Sequence, residues 1–191
     1  HLDWTMVPYV RKSFYKHFLD GLDAFNIAAD TFEINDTLSI DSDVYKRVHS
    51  VYAYAIKHTN KELYQAVEGM FHNLNTLQSR SGNQLPFSSI NFGICTDIEG
   101  RMVTKTILEV SIRGIGKLNR TSIFPCSIFQ LKSGVNRKKG DPNYDLFLLA
   151  LESTSKRLYP NYANCDWSVN TNAITQDRET KKSVISSLST E

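Results

Sequence analysis

Two short apolar-rich runs, Phe87–Cys95 and Ser122–Leu131, begin 35 residues apart with a helical pattern between them. No other feature constrains the fold as tightly, because a strand, a helix and a second strand at this separation are what a βαβ crossover requires. The intervening helix opens on Thr96-Asp-Ile-Glu99, which has capping form, and runs to about Arg113, where Gly114 and Gly116 end it. Lys132–Gly140 reads as a loop. Asp141-Pro142 then sets a capping carboxylate before a proline at the first helical position, predicting a helix to about Tyr159. Strands alternating with helices predict an α/β fold with a parallel sheet. Pro125, inside the second run, predicts a bulge or an edge position there.

The N-terminal half is helical in pattern. Val44, Val48, Val51, Tyr52 and Ala55 fall on one helix face. Thr59-Asn-Lys-Glu62 has the form of a capping box and precedes a stripe at Leu63, Val67, Met70, Phe71, Leu74 and Leu77, which predicts a new helix starting there. Ser79–Pro86 is polar, contains Gly82 and Pro86, and reads as a loop. Trp4, Tyr9, Phe14, Tyr15 and Phe18 read as core and interface residues. The last 24 residues, Ser168–Glu191, contain no aromatic, Gly or Pro, and nine of them are Ser or Thr. Such a segment buries too little apolar surface to offset its ordering entropy. The expected organisation is therefore one domain over 1–167 and a polar, disordered tail over 168–191, with at most a frayed helix around Lys181–Leu188.

A net charge of +2 argues for neither nucleic acid nor membrane as a partner. No apolar stretch approaches the roughly 18 residues of a membrane span, and no signal peptide is evident. The chain starts at His1 rather than Met, which suggests a cut or processed N-terminus. Cys95, Cys126 and Cys165 are odd in number and widely spaced, without Cys-x-x-Cys, and three thiols fit a reducing cytoplasm. His17, His49, His58 and His72 lack paired-ligand spacing, so no metal site is expected. Asn35-Asp-Thr37 and Asn119-Arg-Thr121 match the glycosylation pattern and read as chance without a secretory signal.

The candidate chemistry lies in Phe87-Ser-Ser-Ile-Asn-Phe-Gly-Ile-Cys95. Alternation puts Ser88, Ile90, Phe92 and Ile94 on one face, and Ser89, Asn91 and Gly93 on the other with Phe87 and Cys95. On a strand buried on both sides a polar row needs partners, since each unpaired buried hydroxyl or amide costs about 1–3 kcal/mol. Those partners are either neighbouring backbone or a ligand. Gly114-Ile-Gly-Lys117 lacks the first half of a phosphate loop and follows a helix, so it reads as a helix stop. Lys132, Arg137, Lys138 and Lys139 read as a solvated basic loop, and Cys126 as a small buried hydrophobe.

Beyond these local patterns, three segments carry a resemblance to a known family. They are Gln78-Ser-Arg-Ser-Gly-Asn-Gln-Leu-Pro-Phe-Ser-Ser-Ile-Asn-Phe-Gly93, Gly134-Val-Asn-Arg-Lys-Lys-Gly-Asp-Pro-Asn-Tyr-Asp-Leu146 and Leu149-Ala-Leu-Glu-Ser-Thr-Ser-Lys-Arg-Leu-Tyr-Pro160. In order and spacing they resemble the catalytic-subunit barrel of the anaerobic (class III) ribonucleoside-triphosphate reductases, most of all the phage-type members. The resemblance extends back to His1-Leu-Asp-Trp-Thr-Met-Val-Pro-Tyr-Val-Arg-Lys-Ser-Phe14 and fades after about Trp167.

It implies a partial ten-stranded α/β barrel of the glycyl-radical enzyme and ribonucleotide reductase type, with a helical N-terminal half. It also implies that Ser89 and Asn91 face the barrel lumen near a bound nucleotide. Enzymes of this family reduce ribonucleoside triphosphates to deoxyribonucleoside triphosphates. They use a glycyl radical generated by an iron–sulfur, S-adenosylmethionine-dependent activase, and a thiyl-radical cysteine. Many take electrons from formate, and a four-cysteine zinc site lies near the radical segment. They form homodimers and bind nucleotide effectors near helices of the first barrel half.

The Met-Gly-Cys-Arg-like thiyl segment, the Cys-Gly-Tyr-like glycyl segment and the zinc cysteines have no counterpart in this sequence. Arg113-Gly114 is not the glycyl motif. The chain therefore reads as a truncated internal fragment, cytoplasmic, catalytically incomplete by itself, with no catalytic residue and no cofactor of its own. The tail over 168–191 then reads as the product of a frameshift or of an intron or other mobile insertion. The alternative is a non-catalytic half-barrel that pairs with a second chain of a split reductase. Direct nucleic-acid binding through Lys132–Lys139 is not expected.

Overall fold

The computed structural model describes residues 1–28, 33–76 and 87–167. In chain order these form α1 (Leu2–Ala24), a short α2 (Asp43–Lys46), α3 (His49–Thr76), β1 (Ser89–Phe92), α4 (Ile98–Arg113), β2 (Cys126–Leu131), α5 (Tyr144–Arg157) and β3 (Asn161–Asn164). The loop expected over 79–86 and the tail expected over 168–191 lie outside the described residues.

The three strands form one parallel sheet in the order β1-β2-β3, with α4 and α5 as crossover helices. The α/β class, the parallel pairing and the βαβ unit are as the sequence predicts. The sheet is open, however, and among the described residues it has three strands rather than the ring of a barrel. β3 went unpredicted, because four residues that are polar at both ends carry no legible alternation. β2 is the central strand and not an edge. Pro125 stands just ahead of its first residue, so no ladder hydrogen bond is lost to the proline ring.

Two hydrophobic clusters hold these elements. In the first, Phe92, Phe129 and Tyr162 are register partners across the three strands. Their rings stand 5.9 and 6.1 Å apart, and Phe147 of α5 packs 6.4 Å from both Phe129 and Tyr162. Val103, Ile107 and Val110 of α4 complete that side. The second cluster joins α1, α2 and α3 around Phe14, Phe18 and Tyr45, with Tyr45 edge-on to both phenylalanines at 5.0 and 4.9 Å. Phe14 and Phe18 are core residues as expected, whereas Trp4 and Tyr9 lie exposed on α1.

Three local expectations are corrected by packing. The helix expected to start at Thr59 is instead part of α3, which runs unbroken from His49 to Thr76. Its buried residues are Val51, Ala55, Thr59, Leu63, Val67 and Phe71, one every four positions. Each such step turns about 40° round a helix of 3.6 residues per turn. The stripe consequently winds, meeting Phe14 and Phe18 early on and Val103 and Ile107 later. That continuous burial outweighs a cap worth about 1 kcal/mol.

At α4 the N-cap is Asp97, and Glu99 serves another purpose. Its buried carboxylate accepts hydrogen bonds from the Arg11 side chain and from the amide of Ile40, both at 2.9 Å. α4 is thereby tied to α1 and to the segment before α2. At α5 the helix starts at Tyr144, two residues later than Asp141-Pro142 predicts. Asp141 instead accepts from the Lys138 amide at 2.8 Å, closing the preceding turn.

Candidate functional site

The strand β1 places Phe92 in the core, and the alternation of a pleated strand sends Ser89 and Asn91 to the opposite face. Both are exposed, and among the described residues neither side chain has a hydrogen-bond partner. Among the described residues this strand, expected to be buried on both faces, is covered on one only and is open at Ser89 and Asn91. Register brings further residues to the uncovered face: Ser89 pairs with Cys126, Asn91 with Ile128, and Ile128 with Asn161. The Asn161 amide donates to the Cys126 sulfur at 3.5 Å. Nearer the C-terminal end of β2, Gln130 lies within hydrogen-bond distance of His1 at 2.6 Å.

Alternation in the sequence groups Ser89 and Asn91 on one face, and the register adds Cys126 and Asn161 to it. Cys126 is half-buried on the open face rather than sealed in the core. The alternation Cys126, Ile128 and Gln130 against Ser127 and Phe129 was the signal for it. Asn161 could not be placed without β3. Cys95 does not share the face of Ser89 and Asn91. It follows the end of β1, is fully buried, and would lie 2.2 Å from a Cβ at position 100, which Gly100 lacks. Burial, reinforced by the nearby charges of Asp3 and Glu99 and opposed by a hydrogen bond from the Asp97 backbone, pushes its thiol from 9.0 to about 11.

In open parallel sheets ligands bind beyond the carboxyl ends of the strands. Here that end of β1 is densely bonded. The amides of Gly93, Ile94 and Cys95 all donate to Oδ2 of Asp3, at 2.9, 3.2 and 2.9 Å. Asn136 donates to the carbonyl of Gly93, and Asn143 to those of Gly93 and Cys95. Arg101 in turn donates to Asn143 at 2.6 Å and pairs with Asp145 at 2.8 Å. The β2–α5 loop is also occupied by its own contacts. Arg137 and both the amide and hydroxyl of Ser133 bond Asp166, whose carboxyl they hold below its ordinary range. Gly114 ends α4 at φ +80, as a helix stop does, and makes no phosphate loop.

A further hollow lies away from the sheet. A groove of about 610 Å³ runs along α1 beside Tyr9, Lys12, Tyr15, Lys16 and Asp36. Close by, Ser13 and His17 bond Glu62 of α3 and hold its carboxyl below the ordinary value. Among the described residues no group of three His, Cys, Asp or Glu could hold a metal, and no helix is long and apolar enough to cross a membrane.

A family model described as anaerobic ribonucleoside-triphosphate reductase matches residues 1–187. The proteins of that name from Salmonella typhimurium and Escherichia coli are each 36% identical over 165 residues, covering 86% of this chain. The one from Enterobacteria phage T4 is 38% identical over 160 residues, or 84% of the chain. These matches cover 20%, 20% and 23% of the relatives, so the chain spans about a fifth of their length.

Proposed function

The chain belongs to the anaerobic ribonucleoside-triphosphate reductase family, and from that premise we propose that it supplies the part of a nucleotide-binding barrel on which Ser89 and Asn91 meet the substrate. The observation that carries this reading is the polar face of β1, where a hydroxyl and an amide stand exposed without a hydrogen-bond partner among the described residues. An asparagine amide offers two donors and an acceptor, and a serine hydroxyl offers one donor with acceptor capacity. Together they suit the hydroxyls and base edges of a ribonucleoside triphosphate. Neither group is an acid or base near neutral pH, so this face binds and orients and does not transfer protons.

In the whole enzyme the reaction is reduction of ribonucleoside triphosphates to deoxyribonucleoside triphosphates. The glycyl radical, made by an iron–sulfur activase with S-adenosylmethionine, would supply the radical chemistry, with formate as the electron source. Zinc finds no donor set among the described residues, and Cys95, Cys126 and Cys165 stand on separate segments. Nucleotide effectors are proposed partners of the whole enzyme; the groove along α1 sets Lys12 and Lys16 against Asp20, Asp36 and Glu62 and offers them no net positive charge. The three unbridged thiols suit a reducing cytoplasm.

The domain we assign to this work ends near Trp167. A second arrangement has one specific support: among the described residues β1 and β3 each pair on one side only. Such edges are templates for further strands. They would come from elsewhere in the same polypeptide, from a second chain that completes a split barrel, or through assembly as the family's homodimer.

Titration calorimetry of the full chain with ATP, CTP, GTP and UTP in the presence of magnesium tests the main reading. At least one should bind, and Asn91→Leu should weaken it about tenfold, the loss of one good polar contact of about 1.4 kcal/mol, without lowering the unfolding temperature. Unchanged affinity, or loss of the fold, makes Asn91 a structural residue.

A further inference from the structure

We infer that Asp3 is a positioning residue for the nucleotide face, acting on Asn91 through the turn that ends β1. The inference rests on the reading that Asn91 contacts nucleotide. Three consecutive amides converging on one point form a nest, a concavity built for an anion. At Gly93, Ile94 and Cys95 that anion is the protein's own Asp3, fully buried, with its second oxygen taking the Trp4 amide at 3.0 Å. Gly93 has φ +115, and a Cβ there would lie 2.9 Å from the Phe129 ring. The turn is therefore specific in conformation and has no room to relax toward the core.

Position in the sheet is what makes this clamp matter to binding. Among the described residues β1 is paired only with β2, and its other edge is unbonded. Asn91 stands two residues before Gly93 on that edge strand. Hydrogen bonds from β2 fix one side of it, and the Asp3 clamp fixes its end. A neutral side chain at position 3 would keep the shape of the contact but weaken bonds that an ionised acceptor makes roughly twice as strong. The end of β1 would then sample more orientations, and Asn91 would spend less time aimed at the ligand.

The test is a double-mutant cycle on affinity for CTP, with the full chain and magnesium. Asp3→Asn and Asn91→Ala should each weaken binding about tenfold, while the double variant should also be about tenfold weaker, not about a hundredfold as independent sites would give. A merely structural Asp3 would lower thermal stability without this non-additivity. If Asp3→Asn fails to fold, Asp3→Glu keeps the charge with the oxygens displaced, and the same cycle applies. Additive losses, or tight binding by the folded Asp3 variant, overturn the positioning role and leave the nucleotide reading standing. Unchanged affinity in Asn91→Ala overturns both. Loss of folding in both Asp3 variants makes Asp3 a folding residue and overturns the inference.

Discussion

On one face of the sheet Phe92, Phe129 and Tyr162 stand in register across all three strands, sealed by α4 and α5. On the other, Ser89, Asn91, Cys126 and Asn161 stand on the same strands with no helix over them among the described residues. Neighbours in sequence thus differ completely in environment: Phe92 is fully buried and Asn91 is exposed. The period of two in a strand separates two jobs residue by residue. One face supplies the free energy that holds the sheet, and the other is the one we propose for recognition. Substitutions should therefore sort by face, with stability lost on the first and affinity on the second.

The largest effect should come from the middle of the sealed face. Phe129→Ala removes a fully buried ring that touches aromatic neighbours on both flanking strands and on α5. Large-to-small changes of this type cost about 3–5 kcal/mol. Urea unfolding followed by circular dichroism measures it, and a cost under about 1 kcal/mol would break the contrast between the faces.

The cysteines sharpen the contrast chemically. Cys95, buried and with its thiol pushed up to about 11, holds about a hundredth of the thiolate of a thiol at 9.0. Cys126 stands on the open face. Iodoacetamide followed by peptide mass mapping should mark Cys126 in the folded chain and Cys95 only once urea unfolds it. Early modification of Cys95 would mean that the packing around Gly100 is loose.

A smaller effect ties the sheet layer to the helical layer. Burial by itself would push the Glu99 carboxyl up, but the Arg11 guanidinium and the Ile40 amide outweigh it and hold the carboxyl below 4.5. A carboxyl lowered in the folded state stabilises it above about pH 4.5, and that contribution is lost as pH falls through the lowered value. Glu99→Gln should cost about 1–3 kcal/mol at pH 7. The variant and the parent should converge in stability as pH drops below 4.5. Parallel curves of stability against pH would show that the ion pair contributes nothing.

Much of this arrangement is legible in the sequence, and the parts that are not have physical causes. The pattern around Phe87–Cys95 and Ser122–Leu131 is strong enough to give the crossover and the face of Ser89 and Asn91, because alternation is local. The join at Thr59 misleads because its cap signal is local, while the stripe that overrides it depends on helices α1 and α4 from distant sequence. Glu99 likewise looks like a cap until Arg11 and the Ile40 amide are brought to it from 88 and 59 residues away. Asp3 carries no local signal at all. The three amides of its nest are 90 to 92 residues on, and only the fold makes its carboxylate their anion.

The smallest effect is the most telling for the open face. Ser89→Ala truncates an exposed hydroxyl that has no partner among the described residues, so removing it strands no donor or acceptor there. Surface changes of this type fall within about 0.5 kcal/mol. Stability should then stay level in Ser89→Ala while Phe129→Ala, on the next strand and the other face, falls by several kcal/mol. If Ser89→Ala costs more than about 1 kcal/mol, the hydroxyl is satisfied in solution by something that covers this face. The two faces would then be two cores, and a ligand would have to reach the chain elsewhere. If the change is silent in stability yet weakens nucleotide binding, the hydroxyl belongs to recognition alone.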